Sequence, residues 1–229
     1  MKRSEVNKII RENIEFINRM NFKLPPFAYW TPVEWVEKGA EYDEIRDNML
    51  GWDVTDFGSG DYDKVGLFLF TIRNGNIHNP KYDKPYAEKL LISDEGQVCP
   101  CHFHWNKSED IINRGGGNLV VKLYNSTENE ELADTPVTVY VDGHKYEIEA
   151  GGTVILKPGE SITMQRGQYH SFWGEPGHGK VLVGAVSMVN DDNADNRFYE
   201  PAGRFPEIEE DEPVLYYLCS EYPKKQSNI

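Results

Sequence analysis

The sequence predicts a mainly β fold, a sandwich or closed barrel with a helical extension ahead of it, and three observations carry that reading. From Val65 onward, short apolar runs of strand length alternate with turn chemistry at Asn74-Gly75, Glu95-Gly96, Gly115-Gly116-Gly117, Asp142-Gly143, Pro158-Gly159 and Pro176-Gly177. Many short strands at such spacing mark a sheet-on-sheet or barrel architecture. Helical periodicity is confined to the N-terminal part. Finally, the 229 residues carry 13 Tyr, 10 Phe and 5 Trp, scattered rather than repeated, enough for a real core without covalent staples.

Taken in order, Val6, Ile9, Ile10, Ile14 and Ile17 recur at helical spacing, which predicts an amphipathic helix from residue 4 to about 20 with Ser4 as its N-cap. Thr31-Pro32-Val33-Glu34 supplies an N-cap, a proline at the first helical position and the acid of a capping box. With Gly39 as the residue beyond the end, a short helix is expected over 32–38. Gly51 to Asp63 mixes Gly, Asp and aromatics and reads as irregular chain before the unbroken apolar run Val65 to Ile72. Val137 to Val141 and His144 to Ile148 flank Asp142-Gly143, the dipeptide of a type I′ hairpin. Val181 to Val189 reads as a further strand, and Pro213 to Leu218 as a closing edge strand. No repeat or linker interrupts the chain, so residues 1–229 are expected to be one domain, with 1–60 as extension and about 65–190 as barrel.

The 38 acids exceed the 24 Lys and Arg, giving a formal charge of -14. No basic stripe is left for a phosphate backbone, which excludes nucleic acid as a partner and disfavours anionic membranes. Glu5, Arg11, Glu12 and Glu15 interrupt the N-terminal segment where a secretory signal needs an uncharged apolar run. No apolar stretch approaches the roughly 20 residues that span a bilayer. The cytoplasm is the expected location, and the odd count of 3 cysteines suits a reducing compartment. Cys99 and Cys101 read as buried strand residues rather than thiolate ligands.

The chemistry concentrates between Gly96 and Gly116, in the pattern G-x5-His102-x-His104-x4-Glu109-x6-G. Side chains two apart on a strand share a face, so His102 and His104 point together, and a turn after Trp105 returns Glu109 beside them. Imidazole and carboxylate together suit Mn, Fe, Co, Ni or Zn. A fourth ligand should come from a distant strand, and His170 in Gly167-Gln168-Tyr169-His170-Ser171-Phe172-Trp173-Gly174 is the candidate. His78, His144 and His178 sit in a loop, after a hairpin turn and in a Gly-rich segment, and read as solvated.

This pattern resembles the first motif of the cupin superfamily, which Gly96, His102, His104, Glu109 and Gly116 match at every position. The second motif is met in broken form: Gly152 to Pro158-Gly159 begins it, and Gly167 to His170 completes it after an insertion. Gln165 stands where Pro is usual and Gly174 where Asn is usual. The resemblance implies a cupin-type antiparallel β-barrel, a double-stranded β-helix or jelly roll, with a divalent metal in its mouth.

Residues 102–109, the Trp30 region and Asn190 to Phe205 further resemble the D-lyxose isomerase family of cupin ketol-isomerases, over essentially the full chain. That resemblance implies a monosaccharide as partner, interconversion of D-lyxose with D-xylulose and of D-mannose with D-fructose, and Mn²⁺ or a similar cation; a homodimer is also expected. Proton transfer between C2 and C1 through a cis-enediol would then need a carboxylate, for which Glu200, held extended by Pro201, is the choice and Glu207 the reserve. Lys107 either donates to O1 or O2 or caps the loop between ligands. Lys89, Asp191, Arg197 and Arg204 are candidates for the sugar hydroxyls, the two arginines alternatively pairing with Asp191, Asp192 and Asp195. Trp30, Trp105 and Tyr169 are candidate apolar walls or core residues. The rival readings are a metal-dependent cupin dioxygenase or decarboxylase, separable by oxygen uptake, and a non-catalytic sugar-binding cupin.

Overall fold

The computed structural model describes residues 1–223. It opens with α1 (Arg3–Arg19), followed by the short helices α2 (Pro32–Trp35) and α3 (Asp43–Asp47). The strands are β1 (Gly51–Thr55), β2 (Leu67–Arg73), β3 (Tyr86–Ser93), β4 (Cys99–Phe103), β5 (Glu109–Gly116), β6 (Leu119–Ser126) and β7 (Leu132–Ala133). They continue as β8 (Val137–Val141), β9 (His144–Ile148), β10 (Thr153–Leu156), β11 (Ser161–Met164), β12 (Tyr169–Gly174), β13 (Val181–Met188) and β14 (Arg197–Phe198). One sheet runs β1-β2-β3-β13-β5-β11-β8-β9 and the other β10-β6-β12-β4-β14, with β7 beside β6 and every ladder antiparallel. The fold is the mainly β, curled two-sheet architecture expected of a cupin.

Between the sheets lies a core of Leu67, Leu69, Leu91, Ile111, Val183 and Ala185 from one side and Val121, Leu123, Val154, Leu156 and Phe172 from the other. The outer face of the larger sheet is covered in turn. Val6, Ile10 and Ile17 of α1 pack with Trp52, Val54, Phe68, Phe70, Leu90, Ile92 and Leu182. Burying each such side chain contributes about 1.5–3 kcal/mol. Cover on both faces explains why β2 reads as an unbroken apolar run instead of alternating.

Four expectations change. α1 starts at Arg3 with Lys2 at the N-cap, and Ser4 lies in the first turn, where its hydroxyl donates to Asp211 Oδ2 at 2.6 Å. The capping box of Thr31 and Glu34 forms, yet α2 ends at Trp35 and the chain goes on in three-residue turns, Glu37 N donating to Glu34 O and Lys38 N to Trp35 O; Gly39, at φ -76°, is not a left-handed terminator. Gly51 to Thr55, expected to be irregular, is a fully buried strand paired with β2, since Trp52 and Val54 fill the space under α1. Pro213 to Leu218 forms no strand; a single bridge joins Leu218 to Trp52, and this segment is instead tied to α1 through Asn7, whose Oδ1 accepts from Leu215 N. The Asp142-Gly143 hairpin is as expected, both residues having positive φ, 48° and 81°.

Candidate active site

Two strands of the smaller sheet bring the histidines together. On β12, His170 lies directly opposite His102 of β4, and the register between these strands slips so that Phe172 faces Cys99. This bulge at Pro100-Cys101 breaks strict alternation and turns both Cys99 and His102 into the space between the sheets. His104 follows just beyond β4, and the turn through Lys107 delivers Glu109 at the start of β5. The glycine that ends the motif is sterically required: Gly116 has φ 89°, and a Cβ there would sit 2.2 Å from Lys180 O. The broken second motif resolves into two turns, Glu160 N donating to Lys157 O before β11 and Gln168 N to Gln165 O before β12.

His102, His104 and His170 are buried, and their ligand atoms lie within 4.8 Å of one another. Each ring is held by its Nδ1 on a backbone carbonyl: His102 on Pro100 O at 2.7 Å, His104 on Asp195 O at 2.7 Å and His170 on Gln168 O at 3.0 Å. A carbonyl can only accept, so Nδ1 carries a proton on each ring and Nε2 is the atom offered to the cluster. His170 Nε2 is buried without a hydrogen-bond partner, while Glu109 Oε1 lies 3.1 Å from His104 Nε2 and 3.6 Å from His170 Nε2. Converging imidazoles beside a carboxylate, with one buried nitrogen left orphaned, fit a divalent cation. Burial first, then the neighbouring histidines, lowers the His102 pKa well below its usual value; burial and then His104 bring His170 down to about 4. Burial alone would raise Glu109, but Lys107 and His104 outweigh it and keep the carboxylate ionised.

Beside this cluster opens a cavity that His102, His104 and Glu109 line on one side. Phe57, Leu67, Leu69, Leu91 and Phe198 supply apolar wall, and Lys89, Lys107, Asp192, Asn196 and Arg204 supply polar groups. Lys107 Nζ donates to Asn190 Oδ1 at 2.6 Å and lies 3.4 Å from Glu109 Oε2. Lys89 Nζ reaches Asp192 Oδ2 at 3.2 Å, and Arg204 NH2 bridges Asp53 Oδ2 at 2.5 Å and Asp192 Oδ2 at 3.3 Å. Burial raises the Asp192 pKa, yet Lys89, Arg204 and Lys107 together hold it well below the usual carboxylate range.

Several expected participants stand elsewhere. Glu200 and Glu207 are exposed and outside the cavity lining; strand pairing stops at Phe198, so alternation does not carry on to Glu200. Asp191 Oδ2 accepts from His78 Nε2, 2.9 Å away on the surface, and Arg197 Nε pairs with Glu130 at 2.9 Å. Trp30 packs edge-on against Trp35 and Tyr42 in the extension, under Lys38. Trp105 is exposed and donates to Glu130, and Tyr169 is buried with its hydroxyl on Glu130 O. Cys99 is buried and all three cysteines are free. Asp192 as a cavity acid and Asp195 as a holder of His104 were not distinguishable in a run of Asn and Asp without periodicity.

A sequence model of the D-lyxose isomerase family matches residues 1–222. The chain belongs to the D-lyxose isomerase family. A D-lyxose/D-mannose isomerase of Serratia proteamaculans is 51% identical over 97% of this chain and 98% of its own. One of Escherichia coli O157:H7 is 49% identical over the same shares, 97% and 98%. As a member of this family the chain is an aldose–ketose isomerase acting on a monosaccharide. In fold it is similar to the L-ribose isomerase of Cellulomonas parahominis, solved with L-ribose, at a TM-score of 0.60 and 17% identity over 91% of this chain and 98% of that one. No helix among the described residues is long and apolar enough to cross a membrane.

Proposed function

We propose that the chain interconverts D-lyxose with D-xylulose, and D-mannose with D-fructose, at a divalent-cation centre held by His102, His104, Glu109 and His170. The observation that carries this reading is the convergence of three histidine Nε2 atoms and Glu109 beside a cavity whose polar groups include Lys89, Lys107, Asp192 and Arg204. Bound there, Mn²⁺, or Co, Ni, Fe or Zn in its place, supplies Lewis-acid polarisation of the sugar's carbonyl.

The chain's own residues divide the remaining work. Lys107 donates to the sugar oxygen on which negative charge develops, a role its Nζ can take by turning from Asn190. Asp192, with Glu109 one of the two acids lining the cavity, takes the proton from C2 and returns it to C1, while the hydroxyl proton passes from O2 to O1. Its neighbours keep Asp192 ionised as a base must be, and by the same means lower its proton affinity, so activation rests on the polarised substrate. Lys89 and Arg204 are each paired with a carboxylate and leave no free cationic pair for a phosphate group, which supports an unphosphorylated sugar. The enzyme is proposed to be cytoplasmic, supported by its free thiols, and homodimeric, on the family resemblance.

A panel of pentoses and hexoses assayed after chelation and add-back of Mn, Co, Ni, Fe and Zn tests the reading. Cation-dependent turnover of D-lyxose or D-mannose is expected; turnover that survives chelation with no cation bound would contradict it.

A further inference from the structure

The segment between β13 and β14 contributes more than Asp192. Asp195 is 4% exposed and has no ion-pair partner among the described residues, yet it is surrounded by donors. Its Oδ1 accepts from Asn106 N at 2.8 Å and Asn106 Nδ2 at 3.1 Å, and its Oδ2 accepts from Lys107 N at 3.1 Å. Its carbonyl accepts from His104 Nδ1 at 2.7 Å, and its own N–H donates to Asp191 O at 2.9 Å. Three N–H donors thus stand in for a counter-ion, the arrangement a buried carboxylate needs.

We propose that Asp195 is a positioning residue that sets the tautomer of His104 and the direction of Lys107 at once. Its main-chain carbonyl, held in place by the carboxylate's grip on the turn, accepts the Nδ1 proton of His104 and so turns Nε2 toward the cluster. Through its carboxylate it clamps the backbone of the turn from which Lys107 projects. Because Asn190 and Asp192 lie on the same segment, the proton-handling side of the cavity and the turn between the histidines and Glu109 are fixed to each other by this one residue. The inference rests on the cation reading above.

The test uses Asp195→Asn and Asp195→Ala, with His170→Ala marking loss of the site, in cation-stripped full-length protein titrated with Mn²⁺ by electron paramagnetic resonance. Circular dichroism establishes folding, and Asp195→Asn, which keeps the shape, answers if Asp195→Ala does not fold. Expected are about 10–100-fold weaker Mn²⁺ binding and, at saturating Mn²⁺, a fall in kcat larger than any change in KM. Affinity and kcat both within about threefold of the unsubstituted protein would overturn the proposal. Should the unsubstituted chain bind no Mn²⁺, the cation reading fails, and nitrogen NMR shifts of His104 then decide this inference alone. A pure Nδ1–H tautomer that becomes mixed in Asp195→Asn supports it, and an unchanged tautomer refutes it.

Discussion

The turn from His102 to Glu109 and the segment from Asn190 to Arg204 touch each other and line one cavity, yet they are built on different physics. In the first, a bulged strand and a tight turn fix where each side chain points, and at the far end of β5 Gly116 is dictated by a backbone contact. In the second, the chain is largely irregular, and which acid turns inward is settled by partners far away: Asp192 by Lys89 and Arg204, Asp195 by the turn itself, Asp191 by His78. The lesson is a division of labour. On the proposed reading the regular region would hold the cation, and the irregular one would handle protons and position the regular one.

Substitutions can break this division where it is strongest. Replacing His170 by Ala removes the imidazole whose Nε2 is the orphan of the site, and the expected result is loss of Mn²⁺ uptake with turnover falling to background, read by metal analysis and a ketose assay. Asp192→Asn is expected to lower kcat by about 10²–10⁴-fold while Mn²⁺ uptake persists. Lys107→Ala should cost about 10²–10³-fold in kcat, as for loss of one charge-stabilising donor.

A smaller effect concerns pH and the cation-free protein. The His170 pKa falls from 6.5 unfolded to about 4 folded, chiefly through burial, so the unfolded chain binds more protons between those values. Its contribution to stability is complete above pH 6.5 and is lost as pH falls toward about 4. His102 acts in the same sense, and Glu109 and Asp192, held low, extend the loss to still lower pH. Thermal unfolding of chelated protein should therefore show a clear fall in midpoint between neutral and mildly acidic buffer. Smallest of all, Glu200→Gln should leave turnover and stability unchanged within about 0.5 kcal/mol, as for exposed sites generally, and a large loss would return the base to the irregular segment's outer side.

The same contrast explains what could be read in advance. The spacing of His102, His104 and Glu109 was legible because a strand converts sequence separation into direction, and His170 because it lies in a strand-length run facing the same space. Arg204 and Lys89 were legible as polar residues near the mouth, and Arg204 does pair with Asp192. Glu200 was not legible, since the inference that a strand-derived segment keeps its residues inward fails once pairing ends at Phe198. Trp30 was open between a cavity wall and a packing residue, and it packs, half-buried, on its neighbours Trp35 and Tyr42 in the extension. Nor could the extent of β1 be read, as its burial depends on α1 lying over it.

One measurement goes straight to the division between holding the cation and moving the proton: exchange of the C2 hydrogen of D-lyxose in deuterated water, with Asp192→Asn loaded with Mn²⁺ to the same stoichiometry as the unsubstituted protein. Exchange lost with the cation still bound is the predicted result. Exchange at the unsubstituted rate would contradict the assignment of proton transfer to Asp192.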